Sequence, residues 1–139
     1  ANRKRGHVEC ARVNVDAATE LEPFDLVGSS SFTAQIDEAY ALADRYRAAG
    51  VPVVLGGLHV SLCPDEAARH ADAIVVGGAE GAWPQLVRDF MSGRMERRYE
   101  GLRRDVFTDR NYARPRFDLL EGRPYNRLTV QTSRGCPLS

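Results

Sequence analysis

Val51-Pro52-Val53-Val54-Leu55-Gly56-Gly57-Leu58-His59 is the run that decides the fold. Its first five residues are apolar without a polar break and lead straight into a pair of glycines. A strand with one solvated face alternates apolar and polar side chains, whereas a strand covered by helices on both faces is apolar throughout. Further along, Ala73-Ile74-Val75-Val76-Gly77-Gly78 repeats the pattern. Between the two, Pro64 opens a short helix ending near His70, with Asp65 and Glu66 placed at its positive end.

Working outward, 82–92 carries Trp83, Leu86, Val87 and Phe90 as a buried helical stripe, stopped by Gly93. Upstream, Asp25-Leu26-Val27-Gly28-Ser29-Ser30-Ser31 is a strand entering a small-residue loop. The segment 34–49 spaces Ile36, Ala39, Tyr40, Ala43, Tyr46 and Arg47 at three- and four-residue steps, and Gly50 ends it. Val8-Glu9-Cys10-Ala11-Arg12-Val13-Asn14-Val15 reads as a further strand, and Asn2-Arg3-Lys4-Arg5-Gly6 as the basic, glycine-capped end of a helix. Short strands alternating with helices form right-handed βαβ units. The expected fold is α/β: a Rossmann-like or flavodoxin-like parallel sheet with flanking helices, lacking its first strand. In a 2-1-3-4-5 order that strand is central. Strand slippage or a strand-swapped, self-associated oligomer is therefore expected.

The organisation expected is an α/β domain over 1–93, a linker over 94–125 and the start of a second domain over 126–139. The linker is rich in Arg, Asp, Pro and Gly, with Arg97-Arg98-Tyr99 as a short extended piece. In the last segment a strand, Arg127-Leu128-Thr129-Val130-Gln131-Thr132, runs into a Gly135-Cys136-Pro137 loop.

Nineteen basic residues balance nineteen acidic ones in the 139-residue chain, which gives no support to a nucleic-acid partner. No apolar run reaches the ~18–20 residues of a membrane span, and the N-terminal charges precede no apolar signal core. Cys10, Cys63 and Cys136 are odd in number and widely spaced. That argues against a disulfide framework and for a reducing cytoplasm.

Ligands of open α/β sheets bind outside the carboxyl ends of the strands. Three small-residue loops leave that edge: Ser29-Ser30-Ser31, Gly56-Gly57 and Gly77-Gly78. None has the spacing of a dinucleotide or nucleoside-triphosphate loop. His59, Glu80 and Asp72 are placed near the same rim without metal-ligand spacing, and His59 reads as a loop hydrogen-bonder ahead of a catalyst. Cys63 reads as a passive thiol, and no Ser-His-Asp or Cys-His set is legible.

The order Val54-Leu55-Gly56-Gly57-Leu58-His59, Pro64-Asp65-Glu66-Ala67, Ala71-Asp72-Ala73-Ile74-Val75-Val76-Gly77 and Ala79-Glu80-Gly81-Ala82-Trp83-Pro84 resembles a particular family. It is the cobalamin-binding domain that precedes a radical S-adenosylmethionine domain. The resemblance runs on through Tyr99-Glu100-Gly101, Pro115-Arg116-Phe117-Asp118-Leu119-Leu120 and Thr132-Ser133-Arg134-Gly135-Cys136-Pro137.

The resemblance implies that Ser29, Ser30, Ser31, Gly56 and Gly57 line a slot for the nucleotide tail of cobalamin, with His59, Gly77 and Gly78 on the same rim. A loop whose His can bind cobalt would lie before Asn2. Where the family often has Glu after the next strand's Gly, this chain has Gly78. Cys136 matches the first of three thiolates of a [4Fe–4S] cluster that binds S-adenosylmethionine, so 126–139 would be the first strand and cluster loop of a truncated radical S-adenosylmethionine barrel. One thiolate cannot hold a cluster, and the chain alone is expected to be inactive in radical chemistry.

The whole enzyme implied is a cobalamin-dependent Fe–S oxidoreductase, methyltransferase or cyclase. The rival reading is a Rossmann-like cap that no longer binds cobalamin and serves structure or substrate recognition. A response-regulator domain is disfavoured, because Gly and Ser stand where an acidic phosphoacceptor pocket is needed.

Overall fold

In the computed structural model the residues described are 20–101. The expected strand at 8–15, the helix end at 2–6, the segment 102–125 and the strand and Cys136 loop at 126–139 lie outside them, as does any test of strand swapping.

Four strands, β1 (Val27–Ser30), β2 (Val53–Gly56), β3 (Ala73–Val76) and β4 (Arg98–Glu100), form one sheet in the order β1-β2-β3-β4, and every neighbouring pair is parallel. The register sets Val27 against Val53, Ser30 against Gly56, Leu55 against Ile74 and Val76 against Glu100. Parallel neighbours require crossovers. They are supplied by α1 (Ile36–Ala48), by the short pair α2 (Leu58–Leu62) and α3 (Pro64–Ala67), and by α4 (Ala79–Met91).

The apolar runs are buried on both faces. On one, Ile36, Ala39, Tyr40, Ala43 and Tyr46 of α1 pack with Val53, Leu55, Ile74 and Val76, joined by Val60 and Ala67. On the other, Val54, Ala73, Val75 and Tyr99 meet Ala82 and Leu86 of α4. Successive strand residues alternate between these layers, which is why neither β2 nor β3 can carry a polar side chain in its interior. Gly50 and Gly93 end α1 and α4 with φ of 80° and 71°, as the sequence predicts.

Several expectations are corrected. Helix α4 starts at Ala79 and presents Ala82 and Leu86 to the sheet, while Trp83 reaches over Gly28 of β1 and stays 37% exposed. Helix α2 occupies what reads as a loop in the sequence. The sheet also runs past the expected boundary at 93, because Arg98–Glu100 is its fourth strand. Tyr99 anchors that strand: its hydroxyl donates to Asp89 Oδ2 (3.1 Å) and accepts from the Glu96 N–H (2.8 Å).

Asp72 precedes β3 and therefore stands at the amino edge, opposite the rim where it was expected. There its N–H donates to the Val53 carbonyl (2.9 Å) and its carboxylate accepts from the Val53 N–H (2.8 Å), with Arg47 Nε at 3.4 Å. No helix among the described residues is long and apolar enough to cross a membrane.

Candidate functional site at the carboxyl edge of the sheet

Because all four strands are parallel, Ser30-Ser31, Gly56-Gly57, Gly77-Gly78 and Gly101 emerge on one edge. The turn after β2 combines positive φ with a close backbone approach. Gly57 has φ 98°, and a Cβ there would sit 2.8 Å from Ser30 Oγ and 2.8 and 2.9 Å from the Ser31 backbone. Only glycine combines that φ with so close an approach. The buried Ser31 is fully engaged: its N–H donates to the Gly56 carbonyl (3.2 Å), its hydroxyl to the Phe32 carbonyl (3.1 Å), and its carbonyl accepts from the His59 N–H (3.5 Å).

The sequence gives no hint of the role of Ser61. Its hydroxyl donates to the Gly57 carbonyl (2.9 Å) and accepts from the Gly77 N–H (2.9 Å), stitching the second loop to the third. The first bond is the back-bond a helical Ser makes four residues upstream. Gly77 itself has φ 84°, and a Cβ on Gly101 would run into the Gly78 backbone.

On the α4 face of this edge β1 carries only small residues, the innermost of them covered by Trp83 of α4. Gly28 lies beneath Trp83, whose Cη2 would be 2.7 Å from a Cβ at that position. Ser30 shares this face two residues on, and Gly56 lies beside it, with room for a Cβ at 3.7 Å from Val75. Gly28 and Ser30 are exposed. Around the edge Phe32, Leu58 and Leu62 are exposed as well, at 64%, 58% and 69%.

Two expected site residues turn away. Ser29 shares the face of Val27, toward the α1 layer. His59 is buried behind the rim: Nδ1 lies 3.1 Å from Thr33 Oγ1 and Nε2 3.3 Å from Glu66 Oε1. The Tyr40 hydroxyl donates to the same Glu66 oxygen (3.1 Å), and its ring meets His59 edge-on at 6.3 Å. Burial, then the Glu66 hydrogen bond, pushes the Tyr40 phenol up to about 12, so it remains a donor. Hydrogen bonds from Tyr40 and then His59 hold the Glu66 carboxyl below its ordinary range. Ser30, Ser31, Gly56, Gly57, Gly77 and Gly78 are thus brought to one edge, and Cys136 lies outside the described residues.

Residues 8–87 match the B12 binding domain family. The chain is 48% identical over 77 residues to the bacteriochlorophyllide d C-8(2)-methyltransferase of Chlorobaculum tepidum, a match covering 55% of this chain and 17% of that protein. It is 28% identical over 124 residues to the bacteriochlorophyllide d C-12(1)-methyltransferase of the same organism, covering 86% and 27% respectively. The chain therefore spans 17% and 27% of the curated relatives it matches. Among solved structures, the N-terminal domain of a hypothetical protein of Thermotoga maritima aligns with a TM-score of 0.47 and 20% identity, over 60% of this chain and 77% of that one.

Proposed function

The chain belongs to the B12-binding domain family, and from that premise we propose that its carboxyl edge holds cobalamin within a cobalamin-dependent radical S-adenosylmethionine enzyme of methyltransferase type. The observation that carries the reading is the small-residue rim: Ser30-Ser31, Gly56-Gly57 and Gly77-Gly78 stand together at one edge of the sheet, beyond Gly28, which Trp83 covers. Their lack of large side chains leaves room for a heterocycle at the strand ends, where larger residues would fill the space. Gly56, whose Cβ position is uncrowded, and Ser30 would admit the nucleotide tail. The hydrogen bonds joining Ser31 to Gly56 and Ser61 to Gly57 and Gly77 keep the loops from closing over it. Phe32, Leu58 and Leu62 would cover apolar parts of the corrin and exclude water.

Bound cobalamin supplies alkyl-carrier chemistry at cobalt; the protein supplies position and a dry surround. The [4Fe–4S] cluster and S-adenosylmethionine belong to the whole enzyme, with Cys136 as one of three thiolate ligands. Methyl transfer agrees with the names of both curated relatives, and the cysteine usage agrees with a cytoplasmic setting.

A second reading has its own support. Gly57 and Ser31 are accounted for by the protein's internal packing, as they would be in a cap that has lost cobalamin. Titration with hydroxocobalamin, followed in the visible spectrum, separates the two. The expected result is saturable binding, weaker for cobinamide, which lacks the nucleotide tail. No binding at near-millimolar cobalamin would favour the cap, and equal affinity for cobinamide would remove the tail slot.

A further inference from the structure

Behind the rim, three side chains with metal-ligating atoms converge. His59, Cys63 and Glu66 each offer one such atom, and these atoms all lie within 4.8 Å of one another. The residues stand at i, i+4 and i+7, one side of a helical path, although Cys63 separates α2 from α3.

The arrangement is held from outside. His59 is buried, and Thr33 Oγ1 lies 3.1 Å from its Nδ1. Without an ion Nε2 donates to Glu66; with an ion bound the ring proton would stand on Nδ1, donated to Thr33, and free the Nε2 lone pair for the metal. A ligating imidazole is typically fixed by such a partner on its other nitrogen, and ligating carboxylates are themselves hydrogen-bonded. Here Tyr40 donates to Glu66 Oε1 at 3.1 Å. The outer partners of a metal site are thus already in place.

We infer that His59 Nε2, Cys63 Sγ and the Glu66 carboxylate form a three-ligand site for a zinc-class divalent ion, with a fourth position open to water. The donor set chooses the class: zinc accepts imidazole, thiolate and carboxylate together, whereas magnesium and calcium take oxygen ligands. A tetrahedron with bonds of about 2.0–2.3 Å has donor–donor edges of about 3.3–3.8 Å. The 4.8 Å limit therefore closes with side-chain movements of about 1 Å. Cys63 is exposed and the Glu66 side chain is 43% exposed, so the ion has an entry path. The site is separate from the corrinoid edge and does not depend on cobalamin being bound there.

The test uses the full chain with Cys10→Ser and Cys136→Ser, leaving Cys63 as the sole thiol, and no corrinoid present. Cobalt(II) is titrated first and then displaced by zinc. Thiolate-to-cobalt charge-transfer absorption in the near ultraviolet, abolished by zinc, is expected. Cys63→Ser should lose the band and weaken zinc binding at least about tenfold, and because Cys63 is exposed that variant keeps its fold. Glu66→Gln should weaken zinc while keeping the thiolate band. Absence of the band, or equal zinc affinity with and without the Cys63 thiol, would overturn the site.

Discussion

Replacing Gly57 by Ala tests the rim where positive φ and a close backbone approach coincide. At φ 98° and ψ −170° the residue occupies a region essentially reserved for glycine, a strain of about 1–3 kcal/mol for alanine. The added Cβ would also press on Ser30 Oγ and the Ser31 backbone at 2.8–2.9 Å, and overpacking of this kind costs about 1–3 kcal/mol. Together that is about 2–6 kcal/mol, a large share of the roughly 5–15 kcal/mol that holds a domain together. Two other glycines separate the contributions. Gly50 has φ 80° with nothing within 4 Å of a Cβ, so alanine there meets strain alone, about 1–2 kcal/mol. Gly81 lies inside α4 with equally open space, so alanine should stabilise by about 0.5–1 kcal/mol. Urea denaturation of the three variants should rank Gly57→Ala lowest, then Gly50→Ala, then wild type, then Gly81→Ala. If Gly57→Ala matches Gly50→Ala, the close contact with Ser30 and Ser31 is refuted.

Ser61→Ala should leave the Gly77 N–H without its partner, at a cost of about 1–3 kcal/mol, and amide exchange at Gly77 should quicken relative to the β3 interior; unchanged exchange would dissociate Ser61 from the rim. Glu66 gives a pH prediction. Its folded-state pKa is depressed, so its contribution is present above the ordinary carboxyl range and is lost as pH falls through the lower folded value. Urea melts should show wild type losing stability relative to Glu66→Gln on acidification below about pH 4.5, and a gap independent of pH would show that Glu66 makes no ionised-state bond in the fold.

The parts of the fold legible in sequence were those written in continuous apolar runs. β3 lies where Ala73-Ile74-Val75-Val76 places it, because both faces are buried. β2 starts later than the apolar run does: the Val51 N–H donates to the Tyr46 carbonyl and finishes the turn after α1, and Pro52 has no N–H to give. β4 was harder to read, since only Tyr99 of its three residues is buried and both neighbours are charged. Helix α2 is five residues long, too short for a 3.6-residue period to declare itself.

At the site, glycine pairs were readable because a strand end followed by glycine has few other meanings at three points on one edge. What escaped were bonds between residues far apart in sequence, such as Ser61 to Gly77 and His59 to Thr33. The set His59, Cys63 and Glu66 was not legible, because reading His59 and Cys63 as loop residues hides that they share a side with Glu66. That correction joins the two halves of the molecule's chemistry. Gly57 and His59 stand two residues apart: the first packs its backbone on Ser30 and Ser31, and the second sends its N–H to the Ser31 carbonyl and its ring to Thr33 and Glu66. Anything that tightens the His59 ring also tightens the loop that Gly57 must fit. An ion held by His59, Cys63 and Glu66 would therefore stiffen the rim without touching what the rim binds, as a clamp on the inner end of α2.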